Sequence, residues 1–229
     1  MIDSDRANFD PDYVAKELMR LDNVLIDKLC IYLLGGAVMA INGLKPGTKD
    51  IDVIVENERD HRILVCSLKK CEYYVLQTQD LSRPYVELSA TAMQNLEGFR
   101  LEIFIKYVAK KLSLTDTIKQ RAYRIYQGKE LTVFCLSNED MFLMKGMTER
   151  DRDLEDMELI ARTDIDYNLV LNECVEQSKG DPRGNIWESS LYEKCVELKE
   201  KYGIEVPILK KLRKISERKM NKAKRKRES

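Results

Sequence analysis

The sequence predicts an α+β fold: strands and helices interleaved over residues 1–136, followed by an all-helical region over residues 137–229. Three observations predict it. Short apolar runs ending at turn residues recur up to Leu136. Between them lie stretches whose apolar residues repeat at helical spacing. Beyond Leu136 the strand pattern stops and only the helical period continues.

Asp10 to Ile26 carries Tyr13, Val14, Leu18, Leu21 and Leu25 at helical spacing. Asp10 followed by Pro11 reads as an N-cap with proline at the first helical position. Leu29 to Leu34 is a short buried strand that stops at Gly35-Gly36, and Ala37 to Asn42 begins a helix. Gly43 to Gly47, with Pro46, is a turn; Ile51 to Val55 is a second strand. Asn57 caps a helix reaching about Lys70. Tyr73 to Leu76 is a weaker strand. Tyr85 to Met93 alternates, with Val86, Leu88, Ala90 and Ala92 on one side. Glu97-Gly98 fits a turn, and Phe99 to Ile105 alternates again. Ser113 caps a helix to about Ala122, and Leu131 to Leu136 is the last strand. Ser137-Asn138-Glu139-Asp140 then opens a helix with a start resembling a capping box. Breaks follow at Thr163-Asp164, Gly180-Asp181-Pro182 and Gly203.

Composition excludes several classes. At 44% hydrophobic over 229 residues, the chain has enough apolar material for a real core. No apolar run approaches the roughly eighteen residues a membrane span needs, so no membrane partner is expected. Met1 to Arg6 lacks the basic-then-apolar order of a secretory signal. The cysteines Cys30, Cys66, Cys71, Cys135, Cys174 and Cys195 form no C-x-x-C pair. They read as reduced, mostly buried thiols of an intracellular, cytoplasmic protein. His61, the only histidine, has no partner at metal-ligand spacing and reads as a surface helix residue.

Formal charge is zero, with 39 basic and 39 acidic residues, yet the chain is strongly basic from Lys210 onward. Lys210, Lys211, Arg213, Lys214, Arg218 and Lys219 open that tail. Such asymmetry marks either a solvated terminus or an arm for a polyanion such as RNA, most naturally tRNA if the core extends or caps a 3′ end. Its contribution would be electrostatic, because no aromatic residues interleave to stack on bases.

The chemistry-bearing pattern is Leu33-Leu34-Gly35-Gly36, thirteen residues, then Asp50-Ile51-Asp52-Val53-Ile54-Val55. In a strand, alternate residues share a face, so Asp50 and Asp52 point away from the core that Ile51, Val53 and Val55 enter. Two carboxylates so placed repel unless a cation lies between them, and magnesium takes such hard oxygen donors. A strand passing through Gly-Gly into a helix exposes backbone N–H groups that a phosphate can approach. Glu102, in the alternating stretch Phe99 to Ile105, faces away from the core with Arg100 and completes a three-acid, two-metal set if the strands adjoin.

Gly35-Gly36, the thirteen-residue gap and Asp50-x-Asp52 resemble the signature of the DNA polymerase β-like nucleotidyltransferase superfamily. Gly43 to Asp52 looks especially like the minimal nucleotidyltransferases related to AbiEii-type toxins, and Leu136 to Lys145 followed by Arg150 to Asp156 is similar to that group's helical segment. The resemblance spans roughly residues 30 to 160. It implies a mixed sheet flanked by helices, two magnesium ions with manganese as a substitute, and transfer of a nucleoside monophosphate from an NTP to a hydroxyl. Asp50 and Asp52 would bind both metals, and Glu102 the catalytic metal. Gly35, Gly36, Thr48 and Lys145 would contact the nucleotide. An antitoxin, or a second copy of the chain, is the protein partner it brings to mind. One departure is Glu102 itself, since the third acid of the superfamily is more often Asp.

Spacing alone leaves Lys145 open as a solvated helix lysine. Asp153 and Asp156 share a helix face at i, i+3, where salt bridges to Arg150 or Arg152 compete with a chemical role. The competing function is a catalytically silent nucleotide- or RNA-binding protein that keeps the fold. A third, a helical interaction protein, leaves the Gly-Gly and acid pattern unexplained.

Overall fold

The computed structural model describes residues 7–77, 91–108, 110–148, 150–181 and 184–228, with side chains described up to Asn221. The chain forms two compact units, Met1–Leu136 and Ser137–Ser229.

The first unit opens with α1 (Pro11–Val24), whose N-cap Asp10 accepts the Tyr13 N–H at 2.8 Å. Next come β1 (Leu29–Leu34), α2 (Gly35–Ile41), β2 (Asp50–Val55) and α3 (Glu58–Lys70). The N-cap of α3 is Asn57, which accepts the Asp60 N–H at 3.0 Å. Short strands β3 (Tyr74–Val75) and β4 (Thr91–Gln94) precede β5 (Arg100–Ile105). The hairpin β6 (Tyr107–Val108) and β7 (Leu112–Ser113), helix α4 (Asp116–Arg121), and strands β8 (Tyr123–Gln127) and β9 (Leu131–Cys135) complete it.

Among the described residues, seven strands form one mixed sheet in the order β3-β4-β5-β2-β1-β9-β8. β1 runs parallel to β9, β2 runs parallel to β5, and the remaining pairs are antiparallel. The central strands hold the core: Ile31, Leu33, Ile51, Val53, Ile54, Val55 and Ile103 are buried. Leu64 and Leu68 of α3 are buried with them.

Two expectations change, and one strand was not expected. The helix expected from Ala37 begins at Gly35, so both glycines lie in its first turn. Ser113 is not a helix cap; it pairs with Tyr107 in the β6–β7 hairpin, and Thr115 caps α4 by accepting the Ile118 N–H at 3.2 Å. Strand β8 was not legible, because an edge strand of Tyr123, Arg124, Ile125, Tyr126 and Gln127 has no apolar alternation. It is held instead by its hairpin to β9, and the connection is closed by Asp22 from α1. That buried carboxylate accepts the N–H groups of Lys129, Glu130 and Leu131 at 2.9, 2.9 and 2.7 Å. A side chain at Gly128 would stand 2.2 Å from Asp22 Oδ2, so only glycine admits the clamp. Residues 85–90 of the expected strand Tyr85–Met93 lie outside the described residues.

The second unit contains α5 (Asn138–Lys145), α6 (Asp151–Ala161), α7 (Tyr167–Gly180), α8 (Trp187–Tyr202) and α9 (Leu209–Glu228). Ser137 caps α5, accepting the Asp140 N–H at 3.3 Å. Gly203, with φ 69°, ends α8 in the left-handed conformation that glycine adopts without steric cost. Phe142, Leu143, Met157, Ile160, Cys174, Leu191, Cys195 and Leu198 form its core, which Leu212 of α9 joins. Among the described residues, no helix is long and apolar enough to cross a membrane.

Candidate active site

The parallel pairing of β2 with β5 is in register: Asp50 opposes Arg100 and Asp52 opposes Glu102. Directly opposed residues on neighbouring strands share a face, with backbones about 4.8 Å apart. One face of the sheet therefore carries Asp50, Asp52, Arg100 and Glu102. On the other side of β2, Asp52 opposes Leu34, the residue before the glycines. Three chain segments separated by tens of residues thus meet at Asp52.

Gly35 makes that meeting tight. It adopts φ +71°, and a Cβ there would stand 2.0 Å from Asp52 Oδ2. The Asp52 carboxylate thus stands where a side chain on Gly35 would be. Gly36 has the matching relation to Thr48, whose Oγ1 would lie 3.0 Å from a Cβ. Thr48 is 5% exposed, and its hydroxyl donates to the Asp50 carbonyl at 2.7 Å. The structure brings together Gly35, Gly36, Thr48 and Asp52 from the expected set, with Asp50 and Glu102 joined by strand register. Helix α2 is only seven residues long, so its macrodipole adds little for an anion.

Asp50 and Asp52 are half-buried, as an alternating face predicts. Glu102 is not solvated: it is 3% exposed, and Arg100 is 6% exposed. Strand β4 flanks them in the sheet, with Ala92 opposite Glu102 and Gln94 opposite Arg100. Gln94 accepts from an Arg100 Nη2 at 3.3 Å. A carboxylate this buried needs compensation. Arg100, on the same face and opposite Asp50, is a cation beside these acids. Its signal was there, since an arginine two residues before Glu102 in an alternating strand shares that face.

The donor set suits a hard divalent cation, since Asp52, Glu102 and Asp50 offer only carboxylate oxygens. Among the described residues, no three His, Cys, Asp or Glu side chains already stand close enough to hold a metal ion. Cys66 is exposed and Cys30 half-buried, while Cys71, Cys135, Cys174 and Cys195 are buried free thiols. His61 is half-buried rather than a surface residue; its Nε2 lies 2.9 Å from Thr91 Oγ1, and burial pulls its pKa down.

In the second unit, Lys145 is 9% exposed and ion-paired at 2.7 Å with both Asp153 and Asp156. Asp153 also accepts from Arg150 Nε at 2.7 Å and from the Thr148 hydroxyl at 2.5 Å. The expected salt bridge to Arg150 forms, and the lysine is its larger component. Burial pushes the Asp153 carboxyl up, but Lys145 and then Arg150 overcome it and hold it down at about 2. The same two aspartates keep the Lys145 ammonium raised against burial.

The basic segment is ordered as α9. Lys210, Lys211, Arg213, Lys214 and Arg218 are exposed along it. Lys219 is different: its Nζ lies 2.5 Å from Glu188, which is 0% exposed. The other Glu188 oxygen accepts from Ser178 Oγ at 2.7 Å.

The model of a protein family described as "Nucleotidyltransferase of unknown function (DUF6036)" matches residues 13–181. Among solved structures, a protein from H. pylori provisionally described as a nucleotidyltransferase is 16% identical, covering 87% of this chain and 95% of its own, with a TM-score of 0.41. No curated protein matches the sequence.

Proposed function

This chain belongs to that nucleotidyltransferase family, and from that membership we propose that it moves a nucleoside monophosphate from an NTP to a hydroxyl acceptor with two magnesium ions held at Asp50, Asp52 and Glu102. The observation that carries the reading is the in-register β2–β5 pair, which sets Glu102 beside Asp52 on the face that Gly35 and Gly36 border.

Each residue has a part. Gly36 and the Thr48 hydroxyl form the contact for the triphosphate, the hydroxyl turning its proton from the Asp50 carbonyl to a phosphate oxygen. Asp50 and Asp52 would hold both ions, and Glu102 would hold one and take the proton of the acceptor hydroxyl. The acceptor oxygen bonds to the α-phosphorus, the α–β phosphoanhydride breaks, and pyrophosphate leaves. Magnesium, or manganese on the same oxygen donors, supplies neutralisation of the charge on the phosphoryl oxygens when bound. Arg100 offsets part of the acidic charge that Glu102 and Asp50 concentrate.

RNA is the acceptor class that the charge on α9 favours, and tRNA is the natural one if the core extends or caps a 3′ end. Lys210, Lys211, Arg213, Lys214 and Arg218 offer exposed cations to a phosphate backbone, while Lys219 stays with Glu188. Lys145 serves as a phosphate contact only if freed from Asp153 and Asp156. A closer tie to AbiEii-type toxins, and with it an antitoxin partner, would rest on the resemblance of Gly43 to Asp52, of Leu136 to Lys145 and of Arg150 to Asp156.

The test is incubation with each labelled NTP, magnesium and total RNA. Label transferred to RNA, and lost in the Asp50→Ala, Asp52→Ala double variant, supports the reading. Nucleotide binding without transfer under magnesium or manganese makes the chain a catalytically silent binding protein instead.

A further inference from the structure

Thr48 is held from outside its own loop. The Phe9 N–H donates to the Thr48 carbonyl at 2.8 Å, and the Thr48 N–H donates to the Phe9 carbonyl at 2.9 Å. This is a single antiparallel bridge, reaching across 38 intervening residues. The Phe9 ring anchors it: 8% exposed, it lies 4.5 Å from the Tyr13 ring and 4.7 Å, edge-on, from Phe99. Tyr13 and Phe99 close the triangle at 5.0 Å. Phe99 immediately precedes β5, the strand that carries Glu102. One aromatic cluster therefore ties the Thr48 loop to the start of the Glu102 strand.

Gly47 reports how close the approach is. A Cβ there would stand 2.8 Å from the Phe9 carbonyl oxygen, a backbone atom that cannot swing aside. Gly47 is glycine because Phe9 passes over it.

We propose that Phe9 is a positioning residue whose bridge to Thr48 fixes the Thr48 hydroxyl over Gly36, where a nucleotide phosphate docks. The bridge stands on geometry alone; what Thr48 does with its hydroxyl rests on the nucleotidyl-transfer reading. A loop held from both sides keeps the hydroxyl oxygen in place, so nucleotide binding need only turn its proton from the Asp50 carbonyl, and most of the ordering cost is met on folding.

Two perturbations of different kinds test it. Phe9→Ala removes the anchor, and Gly47→Ala pushes the bridge apart. Each is expected to speed amide exchange at Thr48 by about tenfold or more while Val53 and Cys135 stay protected. Each should raise the KM or Kd for NTP several-fold with a smaller change in kcat, and Phe9→Leu should recover most of the loss. Combined with Thr48→Ala, Phe9→Ala should add little, because both act on one contact.

Unchanged exchange at Thr48 in both variants overturns the bridge. Additive losses with Thr48→Ala, or a lowered melting temperature with an intact KM, overturn the positioning role and leave Phe9 a packing residue. If the unaltered chain binds no nucleotide, the transfer reading and the positioning role both fail, while the exchange result still judges the bridge.

Discussion

Asp52 opposes Glu102 across two parallel strands, while its own Oδ2 fills the space where a side chain on Gly35 would be. Two acids and a bare backbone are thereby forced into one place, and each prediction about the site follows from that crowding.

Gly35→Ala meets two penalties at once, a left-handed φ of +71° and a 2.0 Å overlap with Asp52. We expect a loss of about 1–3 kcal/mol for the backbone strain alone, with activity lost as well. Adding Asp52→Ala should relieve the overlap but not the strain. Denaturant melts of the single and double variants measure it; equal stability of the two removes Asp52 from the account.

Asp52→Asn should abolish transfer, by at least about a hundredfold, while leaving the melting temperature unchanged or raised. Removing one of two like charges on opposed strand positions relieves repulsion. A large drop in melting temperature would show that Asp52 holds the fold rather than the chemistry.

Lys145→Ala strands Asp153 and Asp156 in a buried site and should cost about 3–5 kcal/mol. The pH dependence has a definite sign. The Asp153 carboxyl, near 4 when unfolded, is held at about 2 in the fold. The stability it contributes is therefore present above pH 4 and is lost as pH falls from about 4 to about 2. An Asp153→Asn variant should be less stable at pH 7 and lose less on acidification. Circular dichroism melts between pH 2 and pH 7 read both effects.

Along α9, Lys214→Glu with Arg218→Glu should weaken RNA binding and flatten its salt dependence without changing the melting temperature. Lys219→Ala should do the reverse, because it leaves the buried Glu188 without its cation. Trimming the chain after Ile208 is the poorer experiment: it removes Leu212 from the core of the second unit. Affinity measured from 50 to 200 mM salt, beside thermal melts, separates the two lysines. Equal effects of both would sink the division.

What the sequence settled by itself is what short-range physics controls. β1 over Leu29–Leu34, α3 over Glu58–Lys70 with its Asn57 cap, the Ser137 cap of α5 and the Gly203 stop of α8 all read correctly. Each depends on hydrophobic period or on a hydrogen bond three or four residues away, so the signal lies within one turn or one strand. Only the tertiary structure decided that Glu102 is buried, that Asp52 takes the room at Gly35, that Lys145 is bound to two aspartates, and that Phe9 holds Thr48. Strand β8 belongs with these, since it is held by its hairpin to β9, whose connection is closed by Asp22, more than a hundred residues earlier. Those relationships are pairings and close approaches between distant segments. A residue's type shows which charge or ring it brings, but only the register of the sheet and the packing of the helices choose what it meets.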